Sequence, residues 1–148
     1  MKLTIDLVPK TTFYSNVRSI LPKSVWNKIR IKTIADANNV CEICGGVTGY
    51  RGLDCHEIWE FDTTTFTKRL TKIIALCNKC HEVKHIGLAE LRGNFDRAKK
   101  WFMEINNITD MEADILIDEA FQLWDERNQY QWQTDISILK IGEANGHE

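Results

Sequence analysis

Two CxxC pairs, Cys41-Glu42-Ile43-Cys44 and Cys77-Asn78-Lys79-Cys80, stand on either side of a segment containing Cys55-His56-Glu57, and His81-Glu82-Val83-Lys84-His85 follows the second pair directly. Each pair can set two thiolates on one tetrahedral ion, so Cys41, Cys44, Cys77 and Cys80 have the ligand number and local spacing of a structural zinc site. Four thiolates leave no open coordination position, so such a site holds structure and performs no reaction. Chemistry needs the other donors. Three of the four histidines, His56, His81 and His85, fall on segments that the cysteines would draw together, and three imidazoles can share a second divalent ion. The alternative for these three is a plain structural role, as surface groups on the helix that carries Cys80 or, for His56, as a hydrogen-bonding group within the fold. His147 lies in the tail, and Cys55 reads as a small buried hydrophobe.

The elements that must position these residues follow from periodicity and turn signals. Lys2 to Val8 alternates with Leu3, Ile5 and Leu7 inward, which predicts a strand ended by Pro9. Ser24 can cap a helix in which Trp26, Ile29, Ile34 and Ala37 form one apolar side, and the helix ends near Asn38-Asn39. Gly45 and Gly46 allow the chain to curl behind the first CxxC. Two strands are predicted over 52–61 and 70–76, joined by the polar run 62–69, and the second leads straight into Cys77. Asn78 can cap a helix on which His81 and His85, at i and i+4, share a face.

Beyond that helix, Leu88, Leu91, Phe95, Ala98 and Phe102 recur at helical spacing. Thr109-Asp110-Met111-Glu112 has capping-box form ahead of a long helix carrying Ile115, Ile117, Ala120, Phe121 and Trp124. Trp101 and Trp124 keep to apolar faces and read as core. A last strand is predicted over 135–141, beside the first. The fold class expected is α+β in a single domain over 1–148. Its zinc core spans 41–86, an N-terminal strand and helix occupy 1–40, and a mainly helical extension covers 87–148.

Composition bounds the setting. With 148 residues and 43% hydrophobic content, a chain of this size buries roughly two thirds of its unfolded surface, so zinc is a local staple and not the whole core. No apolar run approaches about 18 residues and none follows a charged leader, so a soluble cytoplasmic protein without a membrane partner is expected. In a reducing compartment paired cysteines hold metal in preference to disulfides. The net charge of −2 conceals a gradient. Seven basic residues between Met1 and Lys32 face Asp6 alone, while eleven acidic residues from Met103 onward face only Arg127 and Lys140. Lys28, Arg30 and Lys32 could track a phosphate backbone or form a solvated helix face, and the acidic end could pack against the basic end or attract a basic partner.

A CxxC, a histidine-bearing hairpin and the run Leu76-Cys77-Asn78-Lys79-Cys80-His81-Glu82-Val83-Lys84 resemble the HNH endonuclease family. The resemblance covers about Cys41 to His85. It implies a ββα-metal core with a four-cysteine zinc site and a catalytic divalent metal such as Mg2+, Mn2+ or Ni2+. His81 stands where the family places its last histidine, and the spacing to His85 resembles the paired helical ligands of colicin-type members. On the hairpin the resemblance leaves two registers open. In one, His56 is a metal ligand and Glu57 occupies the general-base position; in the other, His56 is the base and Cys55 falls where a ligand is expected. Lys72 fills the place of the family's central asparagine.

Such a site would hydrolyse phosphodiester bonds, with His56, His81 and His85 on the metal, Glu57 or His56 activating water, and Lys72, Lys79 or Lys84 holding neighbouring phosphates of DNA. Two other readings are carried with it. One is a catalytically inactive zinc module that binds nucleic acid or a protein partner as a regulator or inhibitor. The other is a rubredoxin-like iron site in the same cysteines, which absorption spectra would distinguish.

Overall fold

The computed structural model describes residues 1–47 and 52–140. It is an α+β arrangement built around one long antiparallel hairpin, β1 (Leu53–Asp62) and β2 (Thr67–Cys77). The Cα register runs from Leu53 opposite Cys77 to Asp62 opposite Thr67. It shifts between Ile58 and Trp59, leaving Thr71 as the extra residue, and the Thr71 hydroxyl donates to the Ile58 carbonyl at 3.0 Å. At the tip the Asp62 carboxylate accepts from the backbone of Thr64 (2.8 Å) and Thr65 (3.3 Å), an Asx-type closure.

Preceding the hairpin are a single turn, α1 (Val17–Ile20), and α2 (Lys23–Asp36). The start of α2 corrects the expectation for Ser24. Pro22 is the cap, its carbonyl accepting from the amides of Val25 and Trp26 at 3.0 Å each. Proline fixes the backbone at a position where a missing N–H costs little. The helix ends as expected, because Asn38 (φ 57°) and Asn39 (φ 59°) take the left-handed conformation that asparagine tolerates.

After the hairpin come α3 (Asn78–Lys84), α4 (Ile86–Leu91), α5 (Phe95–Asn106) and α6 (Asp110–Arg127). The cap of α3 is Cys77, not Asn78, and its sulfur accepts from the Cys80 amide at 3.5 Å. The apolar spacing across Leu88 to Phe102 belongs to two helices, separated at Gly93, whose φ of +77° no ordinary helical residue adopts. Thr109 caps α6 as expected, accepting from the Glu112 amide at 3.1 Å.

Both terminal strands require correction. Residues 2–8 form no strand. Leu3 is fully buried, but its amide and carbonyl bond the Asn106 side chain (2.9 and 2.8 Å), and the Asp6 amide donates to the Lys84 carbonyl (3.1 Å). The alternation was real, yet helices α3 and α5 satisfy the backbone instead of a sheet partner. The last strand is β3 (Gln133–Asp135), parallel to β2 at Thr67–Arg69 and followed by a 3-10 turn at Ser137–Leu139. Sheet order is β1-β2-β3, and the expected strand's last residue, Ile141, lies outside the described residues, as does His147.

The core joins Ile74, Ala75 and Leu76 of β2 to Ile34, Val83, Ile86, Ala98, Phe102, Ala113 and Ile117, with Cys41, Cys77 and Cys80 part of the same cluster. Polar contacts that tie the chain's basic and acidic ends include Lys10 amide to Asn128 (2.7 Å), Thr11 hydroxyl to the Tyr130 carbonyl (2.7 Å), Ser15 hydroxyl to Thr134 (2.8 Å) and Trp124 indole N–H to the Val8 carbonyl (3.0 Å). Among the described residues no helix is long and apolar enough to cross a membrane.

Candidate metal centres

Cys41, Cys44, Cys77 and Cys80 converge with all four sulfurs within 4.8 Å of one another. Cys44 and Cys77 sulfurs are 3.7 Å apart. A tetrahedral ion with Zn–S bonds of about 2.3 Å has S–S edges of about 3.8 Å, so the cluster could hold a metal ion such as zinc. The knuckle that presents Cys41 and Cys44 is short and held by its own backbone. The Cys41 amide donates to the Gly46 carbonyl (3.1 Å), the Gly45 amide to the Cys41 carbonyl (3.0 Å) and the Gly46 amide to the Cys44 sulfur (3.4 Å). Gly45 sits at φ +74°, which makes the curl available.

Glu42 fastens the knuckle to β2, its amide donating to the Ala75 carbonyl (3.0 Å) and its carboxylate accepting from the Ala75 amide (2.6 Å). Trp101 donates its indole N–H to the Cys80 sulfur at 3.3 Å, an outer contact from α5. Burial pushes the Cys44 and Cys80 thiols up. At Cys41 burial also works upward, but backbone hydrogen bonding around Cys44, Cys77 and Ile43 outweighs it and brings the thiol down to about 7. One sulfur is thus poised to ionise, and four thiolates together need a cation between them.

The second cluster is built by β1 and α3. His56 on β1, His81 on α3 and His85 at the α3–α4 junction each offer a ring nitrogen, and these atoms also lie within 4.8 Å of one another. Ring centroids are 5.4 Å apart for His56–His81, 5.1 Å for His56–His85 and 4.8 Å for His81–His85. His85 is not on the helix proper. It closes α3 and opens α4 with φ −112° and ψ 48°, a break that lets its ring fold back beside His81.

Two carboxylates orient the set. His56 Nε2 meets Asp6 Oδ2 at 3.1 Å, and that oxygen also pairs with Lys84 Nζ at 3.0 Å. His81 Nδ1 meets Asp54 Oδ2 at 3.2 Å. With those nitrogens donating, His56 Nδ1 and His81 Nε2 are the lone pairs left for an ion, the arrangement in which an outer carboxylate fixes a ligand's tautomer. Burial, with the neighbouring His81 and His56 rings, pushes His85 down to about 3, and burial likewise lowers His81. Neutral imidazoles are the ligating form, so the donor chemistry fits a divalent ion.

Adjacent strand residues face opposite ways, so Glu57 lies across the pleat from His56. Its Oε1 accepts from the Val17 amide at 2.6 Å, and burial raises its pKa. The Cys55 sulfur donates to the Arg30 carbonyl at 3.8 Å, and burial raises its thiol to about 11. Cys55 is not part of the histidine cluster, and His56 is the hairpin residue that joins His81 and His85. A cavity of about 220 Å3 touches Cys55, His56, Glu57, His81 and His85 together.

Of the basic residues singled out from sequence, Lys84 requires correction. It is 3% exposed, and its ammonium is held by Thr4 (2.8 Å) and Asp6, so it is a structural cation and not a phosphate contact. Lys72 is exposed on β2, and Lys79 is exposed with its ammonium 4.7 Å from the Trp101 ring centroid. Lys28 and Lys32 are exposed on α2, Lys32 paired with Asp36 at 2.7 Å. Arg30 instead lines an open groove of about 830 Å3 with Arg18, Lys23 and Trp26, and the groove reaches Asp54 and His81.

Sequence reasoning passed over Asp6 and Asp54. For Asp54 a signal existed, because Asp54-x-His56 places both on one face of a strand. No spacing rule links Asp6 to a histidine fifty residues away. Comparison of the chain with protein-family models, curated proteins and solved structures gave no match.

Proposed function

We propose that this chain is a metal-dependent endonuclease of the HNH type, with a ββα-metal core made by β1, β2 and α3, and DNA as its substrate. The observation that carries the reading is the presence of two donor clusters, a four-cysteine set joining the knuckle at Cys41–Cys44 to the start of α3 and a three-histidine set joining β1 to the end of α3. The four-cysteine cluster is closed, whereas the three-histidine cluster leaves coordination positions free and opens on a cavity beside a carboxyl group. A divalent ion there would supply Lewis acidity to the scissile phosphate and its leaving oxygen.

The chain's own residues do the rest. His56, His81 and His85 would hold the ion, with Asp6 and Asp54 keeping two of the rings in their ligating tautomers. Glu57, which leaves the opposite face of β1 from His56 but borders the same cavity and has its pKa raised by burial, would take the proton of a water as that water's oxygen bonds phosphorus and the bond to the leaving oxygen breaks. The leaving oxygen takes its proton from solvent. Arg18, Lys23 and Arg30 line the groove that ends at His81 and would hold the flanking phosphates.

Two observations favour the inactive-module alternative. The Glu57 carboxylate already accepts a short hydrogen bond from Val17, and Lys72 replaces the expected asparagine. Cleavage of supercoiled plasmid by zinc-loaded protein, with Mg2+, Mn2+, Ni2+ or EDTA and with His81→Ala alongside, separates the two. Metal-dependent cutting abolished in the variant is expected. Absence of cutting by a folded, zinc-bearing wild type with every metal would leave the binding module.

A further inference from the structure

We propose that the cavity beside the three histidines is a nucleobase pocket and that the substrate is therefore a single-stranded or locally opened polynucleotide, an inference that rests on the endonuclease reading. The cavity's walls include Phe13, Trp26 and Trp59, three aromatic side chains within reach of the proposed metal ligands. Phe13 is 50% exposed and meets Tyr14 edge-on, so its ring is accessible from the cavity side.

The wall that carries Phe13 is fixed by charged groups of the hairpin. Fully buried Lys68 on β2 donates to the carbonyls of Thr12 (3.1 Å) and Ser15 (2.5 Å), and Glu57 on β1 accepts from Val17. A buried ammonium spent on two loop carbonyls sets the shape of that loop in advance, as a pocket needs. The cavity, about 220 Å3, is open on one side and large enough to admit a planar heteroaromatic ring.

Charge supplies the second half. Arg18 and Trp26 line both this cavity and the larger groove, so the two adjoin. The groove adds Lys23 and Arg30, and Asp54, already facing His81, is the one carboxylate among its described lining residues. Cations along a groove with aromatic rings at its end are the combination that binds unpaired strands, the cations following phosphates and the rings taking base faces. In a duplex those faces are hidden by stacking, so a base must leave the helix to enter.

The test is fluorescence anisotropy with end-labelled 12-nucleotide strands of DNA and of RNA, a blunt duplex, and strands carrying a tetrahydrofuran abasic residue at successive positions. All are measured without divalent metal so that nothing is cut. Single strands are expected to bind more tightly than the duplex, with one abasic position weakening binding by roughly 5- to 150-fold, the range for loss of one base–aromatic stack. Trp26→Ala and Phe13→Ala should each weaken binding, and Trp26→Phe should restore most of it. The tighter of the DNA and RNA arms identifies the sugar. Equal binding of duplex and single strand, indifference to every abasic position, or unchanged binding by folded Trp26→Ala and Phe13→Ala would overturn the pocket. Plasmid cleavage that survives such a result would leave the nuclease standing, and base-dependent binding without cleavage would do the reverse.

Discussion

His56 and His81 each turn one ring nitrogen to a carboxylate, and the two carboxylates sit in different surroundings. Asp54 is 45% exposed beside His81, whereas Asp6 is 32% exposed and shared between His56 and the buried ammonium of Lys84. The more enclosed contact should matter more to the metal. Asp6→Asn is expected to weaken divalent-metal affinity at the histidine centre by about 10- to 100-fold, the usual cost of losing an outer carboxylate, with zinc retained by the cysteines. The same change strands Lys84, so Asp6→Asn/Lys84→Met should be titrated with Ni2+ beside it. Both proteins should show the same weakening, and wild-type affinity in the folded double variant would remove Asp6 from the site.

At the level of elements, the central hairpin and the helix after it were legible because their signals are local. Ile73-Ile74-Ala75-Leu76 is an apolar run ending at a cysteine pair, and the observed β2 extends the strand predicted over 70–76 back to Thr67. The alternation of Leu3, Ile5 and Leu7 was legible as burial but not as pairing, since periodicity reports which side faces the core and says nothing of what completes the backbone. Asn106 and Lys84 complete it here, both far along the chain. The break at Gly93 was present in the sequence as a glycine between two apolar stretches that each kept helical spacing, and spacing alone does not reveal that the phase is interrupted. The same locality explains the site. The cysteines and His81–His85 announce themselves by spacing, while Asp6, Trp101 and the Lys68–Glu57 supports act across 21 to 56 residues and become visible only once the elements pack.

Over the whole molecule, burial of the histidine cluster couples stability to pH. An unfolded histidine titrates near 6.5, whereas burial beside His81 and His56 pushes His85 in the folded chain down to about 3. Between these values the unfolded chain binds the extra proton, so stability rises with pH across the window and is lost as pH falls from about 6.5 toward 3. With the histidine centre kept free of metal, the wild type should lose up to about 2 kcal/mol more than His85→Gln between pH 7 and pH 5, read from urea unfolding. Equal losses would show that His85 protonates freely in the folded chain. A divalent ion on the same lone pairs keeps the rings proton-free in the folded chain, so the metal-loaded protein should show a pH dependence at least as steep. That the fold carries two metal centres, one closed and one open, is tested most directly by counting ions. Protein equilibrated with zinc and Ni2+, freed of loose metal by desalting and analysed by plasma mass spectrometry, should carry two ions per chain. His85→Ala should carry one with its circular dichroism unchanged, and Cys80→Ser should lose the other. A single ion per chain in both the wild type and His85→Ala would contradict the second centre and, with it, the hydrolytic site.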